Sequence, residues 1–142
     1  MRLVSPLLVL AWAGVIFFLS SLSNPPGTTG DEWQSNAAHI TEYAVLGALL
    51  LWALRATRPA SPLVALAIAS WLVCVAYGIS DEYHQSFVVN RDSDPMDVVF
   101  DTVGSAVAIV VLFTIVTNQD GKASQKCSAV RWPRKARRKA RH

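Results

Sequence analysis

Four apolar stretches, each about long enough to cross a bilayer as a helix, dominate this sequence. Leu3–Leu22 and Leu63–Ile79 carry no charge, and the second of these can run on into Asp81–Gln85. Ala37–Leu54 holds His39 and Glu42 near its start, and Val98–Val116 holds Asp101 near its start. A hydrocarbon core takes roughly 20 apolar residues as a helix, and inside lipid the backbone must satisfy its own hydrogen bonds. All four runs are too long and too apolar for surface-lying amphipathic helices. The connections carry turn chemistry: Asn24-Pro25-Pro26-Gly27, Arg58-Pro59-Ala60-Ser61-Pro62 and Asn90-Arg91-Asp92-Ser93-Asp94-Pro95. Asp94-Pro95 reads as a helix N-cap followed by proline at the first helical position. The chain is therefore expected to be all-α, a polytopic membrane helix bundle. Its four transmembrane helices are placed at about 3–22, 37–56, 62–80 and 97–117 within a domain of residues 1–121.

Composition agrees. The chain is 52% hydrophobic and 16% charged, with a mean hydropathy of +0.32. A soluble core with so little charge would associate. The first 121 residues hold four of the 13 basic residues and all 10 acids, a net −6; the tail 122–142 holds +9. That tail lacks Leu, Ile and Phe and is expected to be disordered. Basic residues resist translocation, so they orient the spans. Arg2 precedes the first run, Arg55 and Arg58 lie in the second loop, and the tail follows the fourth run. The first loop has Asp31 and Glu32 without a base, and the third has Arg91 among acids. Both termini are thus expected in the cytoplasm and loops one and three outside. Trp33, Tyr43, Tyr77 and Tyr83 then fall near the outer interface, where amphipathic rings are favoured. The tail serves as a topology anchor and can lie on anionic lipid; with no folded module behind it, no nucleic acid is expected as a partner. The first run also has features of a signal peptide, with Ser21-Leu22-Ser23 as a cleavage site, but it is long for one. Cys74 and Cys127 exclude a disulfide framework or a multi-cysteine zinc site.

With this topology, polar residues scattered through the sequence fall at one depth, the outer one. His39, Glu42 and Tyr43 lie in the first outer turns of the second span; Asp81, Glu82, Tyr83, His84 and Gln85 end the third; Asp97 and Asp101 begin the fourth; Arg91 lies in the loop between. Helical spacing sharpens the convergence. His39, Glu42 and Tyr43 share a face, and Asp81 shares one with Tyr77, His84 and Gln85. Asp97, Asp101, Gly104 and Ala108 form a stripe with carboxylates above and small residues below, which admits a closely packed helix. Glu42, Asp81, Glu82, Asp97 and Asp101 face one fixed base, Arg91. They cannot all stay ionised in a dry site, so part of the cluster is wet, carries protons or binds something cationic. The plain alternative is that Asp81, Glu82 and Asp97 are solvated helix ends. The cluster, His39, Glu42, Tyr43, Asp81, Glu82, His84, Gln85, Arg91, Asp97 and Asp101, is the candidate binding site. His39, Glu42, Asp97 and Asp101 are the candidates for acid–base chemistry, should the chain be an enzyme. No spacing is diagnostic of a metal site, no cofactor motif is present, and no serine or cysteine nucleophile stands out.

These motifs resemble a known family. Asn36-Ala37-Ala38-His39-Ile40-Thr41-Glu42-Tyr43-Ala44-Val45-Leu46-Gly47 is similar to the second-span signature of the VanZ-like family of small membrane proteins. Tyr77-Gly78-Ile79-Ser80-Asp81-Glu82-Tyr83-His84-Gln85-Ser86-Phe87-Val88 looks like the end of its third span, and Arg91 with Asp97-Val98-Val99-Phe100-Asp101-Thr102-Val103-Gly104 completes the order. The likeness covers roughly residues 8–116. Family members often carry Pro-Gly before the arginine, where this chain has Val89-Asn90; asparagine also tolerates the left-handed backbone. Asn36 stands where a base is common, and Ala108 where a second span-four glycine is. The resemblance implies a multi-pass protein of the bacterial inner membrane, linked through the family's namesake to teicoplanin resistance. It also implies partners among membrane lipids, an envelope lipid or a glycopeptide-related ligand. Recognition of a lipid or envelope head group is the leading expectation, and an enzyme acting on such a head group the alternative.

Overall fold

A computed structural model of the chain describes residues 4–23, 32–91 and 93–129. The described residues form four helices: α1 (Val4–Ser20), α2 (Glu32–Thr57), α3 (Leu63–Gln85) and α4 (Pro95–Ala129). The architecture is the expected all-α bundle. Trp33–Thr57, Leu63–Gln85 and Pro95–Lys126 are long and apolar enough to cross a membrane. The apolar helix α1 has 17 residues, roughly 25 Å at an α-helical rise, which is short of a hydrocarbon core of about 30 Å.

Three boundaries differ from the expected spans: helix α2 starts at Glu32, five residues before the expected 37. Helix α3 does continue through the polar stretch Asp81–Gln85. Helix α4 runs past residue 117 to Ala129, so residues 122–129 are helical where disorder was expected. The extension 118–129 contains Gln, Lys and Ala and no proline. A helix already nucleated in the membrane propagates through such residues at little cost. The rest of the basic tail, 130–142, lies outside the described residues. The chain divides into a unit at Met1–Leu112 and a second at Phe113–His142. Of the second, 113–129 are the end of α4, with 117–126 exposed.

Within the first unit, α1, α2 and α3 pack against one another, and glycines let α4 approach α2 and α3. A Cβ on Gly104 would stand 2.9 Å from Ile40 Cα and closer still to the Ile40 carbonyl oxygen. One on Gly47 would stand 3.0 Å from the Ser105 carbonyl oxygen. The bundle is apolar outside: Leu7, Leu10, Phe18, Ile68, Val107 and Val110 are exposed, as lipid contact requires. Inside, a small apolar cluster of Ile16, Tyr43, Leu46 and Cys74 gathers Trp12, Ala13 and Tyr77 around it. Two side chains tie helices together through backbone carbonyls. Trp12 Nε1 donates to Glu42 O at 2.9 Å, and the Tyr77 hydroxyl donates to Ala13 O at 2.7 Å. Tyr43 and Tyr77 thus turn into the bundle rather than line its rim, while Trp33 and Tyr83 are exposed. In the loop before α4, Asn90 takes φ 63°, the left-handed backbone that asparagine tolerates. Asp94 caps α4 by accepting from the Met96 N–H at 2.9 Å.

Gly104→Ala should lower the thermal midpoint in detergent. Overpacking costs about 1–3 kcal/mol and outweighs the gain in helix propensity of up to about 1 kcal/mol. Gly14→Ala, with nothing within 4 Å of the new Cβ, should leave the midpoint unchanged or raise it. A Gly104→Ala protein as stable as wild type would contradict the contact with Ile40.

Candidate functional site

The close approach of α4 to α2 sets the centre of the site. With Gly104 against the Ile40 backbone, Asp97 and Asp101 face His39, which precedes Ile40. His39 Nδ1 lies 3.0 Å from Asp101 Oδ1, hydrogen-bonded and buried. His39 Nε2 lies 3.4 Å from Asp97 Oδ2, close enough for charge attraction. A neutral imidazole offers one N–H. Carboxylates at both nitrogens therefore call for an imidazolium, or for a proton held on one of the two carboxyls. Asp101, 2% exposed, has no alternative access to solvent.

Helix α3 supplies the second group. Gly78, Asp81, Glu82 and Gln85 are spaced i, i+3, i+4, i+7 and are buried, one helical face. Asp81 Oδ2 accepts from Ser20 Oγ at 2.9 Å and from Gln85 Nε2 at 3.1 Å. Gln85 Oε1 in turn accepts from Arg91 Nη2 at 2.6 Å. The amide therefore joins the loop cation to the buried acid. Gly78 brings the two groups together: a Cβ there would stand 2.9 Å from Asp101 Oδ2 and 3.4 Å from Tyr43 Cε1. Tyr43 is fully buried, with its ring 6.2 Å from that of Tyr77. Its hydroxyl, Asp81 Oδ1 and Glu82 Oε1 have no hydrogen-bond partner among the described residues.

The expected residues do not all join this centre. Glu42 is half-buried beside it, in the field of His39, Asp81, Asp101 and Arg91. His84 lies on the seam between α3 and α1, with Nε2 3.1 Å from Ser21 Oγ and its ring stacked on Phe17. Asp81, Glu82 and Asp97 are buried rather than solvated ends, which removes the plain alternative for them. Among the described residues, no group of three His, Cys, Asp or Glu is gathered as a metal site would require.

Four contributors escaped the sequence reading: Phe17 and Ser20 of α1, Ser21 just after it, and Gly78. The topology already put the end of the first run at the outer depth, so its serines were available to the cluster. Ser21 was read as part of a cleavage site instead, and Ser20 was not singled out. Gly78 sits one turn before Asp81 on the same face, and that spacing was a signal for a close approach.

The fold and this centre define a class: a small helical membrane protein with apolar walls and an interior of carboxylates, imidazole and amide at one end of the bundle. Residues 6–116 match the family model described as VanZ/LLP1. The chain belongs to that family. No curated protein and no solved structure matches it.

Removing one member of a buried ion pair leaves an uncompensated charge, at a cost of about 3–5 kcal/mol. His39→Ala should therefore sharply lower the folded yield in membranes. Adding Asp101→Asn should recover part of the loss, with a coupling of roughly 0.5–3 kcal/mol in a double-mutant cycle of thermal stability. Strictly additive effects would mean that His39 and Asp101 do not interact.

Proposed function

We propose that this protein recognises the head group of a lipid or lipid-linked envelope precursor through the His39–Asp101–Asp81–Gln85–Arg91 cluster, from the outer face of the bacterial inner membrane. The single observation that carries the reading is the chain from Arg91 through Gln85 to Asp81. It places a cation and buried acids side by side at the end of apolar helices, where a head group meets acyl chains. Ionisable groups at such depth are expensive and signal function. Binding is favoured over acid–base catalysis by His39 itself: both ring nitrogens face carboxylates, which leaves neither aimed at a substrate.

In this reading both termini are cytoplasmic, in keeping with the distribution of basic residues. The tail from Lys122 onward holds anionic lipid at the inner surface, and residues 1–121 carry the recognition. Teicoplanin susceptibility is the corresponding phenotype in this reading, through the family's namesake.

Orientation is tested with single cysteines at Ser93, Ala60 and Ala123. An impermeant thiol reagent on intact cells should label Ser93→Cys and spare the other two; the reverse pattern overturns the topology. Recognition is tested with Asp101→Asn, which keeps shape and removes charge, and Arg91→Lys, which keeps charge and loses the planar fork. Arg91→Lys should reach the membrane; the Asp101→Asn helix should insert at least as well as wild type, since a central Asp costs about 2.5–3.5 kcal/mol on insertion scales, and Asp97 remains as a carboxylate partner for His39 in the folded bundle. Both should lose head-group binding and any effect on teicoplanin susceptibility. Abundant, fully active variants would refute the proposal.

A further inference from the structure

Apolar surface does not stop where α3 ends. Ile68, Leu72, Ile79 and Tyr83 are exposed along one stripe of the helix, at helical spacing. The stripe continues past Gln85, the last residue of α3. The Phe87 ring meets that of Tyr83 edge-on at 5.1 Å, and Val89 follows. Tyr83 is 70% exposed, Phe87 69% and Val89 73%. A turn in water is usually built from small and polar residues; this one opens with Phe87-Val88-Val89. The segment Tyr83–Asn90 holds no Asp, Glu, Lys or Arg.

The turn also makes small demands on water. The N–H groups of Ser86, Phe87, Val88 and Arg91 donate to the carbonyls of Glu82, His84, Gln85 and Val88 at 2.9–3.2 Å. Two exposed hydroxyls do the same: Ser80 Oγ donates to Tyr77 O at 2.8 Å and Ser86 Oγ to Tyr83 O at 2.7 Å. Polar groups close to hydrocarbon need such internal partners. Helix length sets the depth. The 23 residues of α3 span roughly 34 Å, a little more than a hydrocarbon core of about 30 Å. The last turn of α3 and the chain just after it then fall in the interfacial layer, where aromatic rings are favoured.

We propose that Tyr83, Phe87 and Val89 form a hook that docks into the lipid interface at the end of the bundle carrying His39 and Asp101. The bilayer is favoured over a protein partner because the hook continues the lipid-facing stripe of α3 without a break. Arg91 closes the same turn through its N–H on Val88 O, so the hook also holds the guanidinium, bonded to Gln85, at head-group depth. The inference goes beyond the head-group reading and depends neither on it nor on which side of the membrane this end faces.

The test uses the full chain with Cys127→Ser in nanodiscs of phosphatidylcholine and phosphatidylglycerol. Nanodiscs leave both faces open to solution, so orientation does not enter the result. Nitroxide labels are placed singly at Val89→Cys, at Ile79→Cys in the stripe and at Ser93→Cys beyond the turn. Cys74 is fully buried and stays unlabelled. Collisions with oxygen, which concentrates in lipid, are compared with collisions with a water-soluble nickel chelate. The oxygen-to-nickel ratio at Val89 should lie between those at Ile79 and Ser93 and exceed the Ser93 ratio several-fold. Phe87→Ser should lower the Val89 ratio toward that of Ser93 and leave the thermal midpoint in detergent unchanged, as exposed positions usually do. Equal ratios at Val89 and Ser93 overturn the hook. Suppressed collisions with both reagents at Val89 would mean that protein covers it, a second copy or another chain, and overturn the bilayer as its occupant. A Val89 ratio that Phe87→Ser leaves unmoved overturns the role of the ring. Each of these failures leaves the head-group reading standing.

Discussion

His39 held between Asp97 and Asp101 is the contact around which one end of the bundle is arranged. It joins α2 to α4 in a medium that cannot solvate either partner, so each charge depends on the other. The geometry that permits it is steric. Gly104 meets the backbone of Ile40, and only that approach lets a short aspartate reach the neighbouring histidine. Gly78 plays the matching part on α3, where Asp101 and Tyr43 close in on its bare Cα. Small residues in lipid-embedded helices are usually discussed as aids to association. Here they also set the distance between charges.

Around this centre the bundle reverses the soluble pattern, with apolar walls and a polar interior. Beside apolar burial, hydrogen bonds across seams join the helices. Ser20 bonds Asp81, Trp12 bonds the carbonyl of Glu42, and Tyr77 bonds the carbonyl of Ala13. In the proposed reading, head-group recognition and helix association draw on the same residues.

The spans were legible because apolar length and the cost of an unpaired backbone in lipid leave few alternatives. The convergence of His39, Asp97 and Asp101 was legible from topology and i, i+4 spacing, and the α4 stripe through Gly104 does meet a helix. Other features depended on tertiary placement. Nothing in the sequence distinguishes a solvated Glu82 at a helix end from a buried one; that depends on how far α3 continues and what covers it. His84 has a site-like spacing but is turned toward α1, where Phe17 offers a ring to stack on. The end of the first run was read as an apolar span with a cleavage-site pattern, since its serines are unremarkable until Asp81 and His84 stand beside them. The length of α4 was underestimated because composition spoke for solvent, while an existing helix needs only the absence of a breaker to continue.

The bonds between α1 and α3 join residues far apart in the chain: Ser20 and Asp81 are separated by 61 positions, and Ser21 and His84 by 63. At roughly 5–20 residues per second of synthesis, α1 enters the bilayer some 3–12 s before its partners exist. Ser21 has a local partner for that interval, since its hydroxyl donates to Phe17 O. Asp81 and Glu82 have no such refuge when α3 arrives, since a carboxylate cannot bond the carbonyls of its own helix. The helix bearing Asp81 and Glu82 is made only after α1 and α2, and this order of birth spares those two acids a stay in lipid without neighbours.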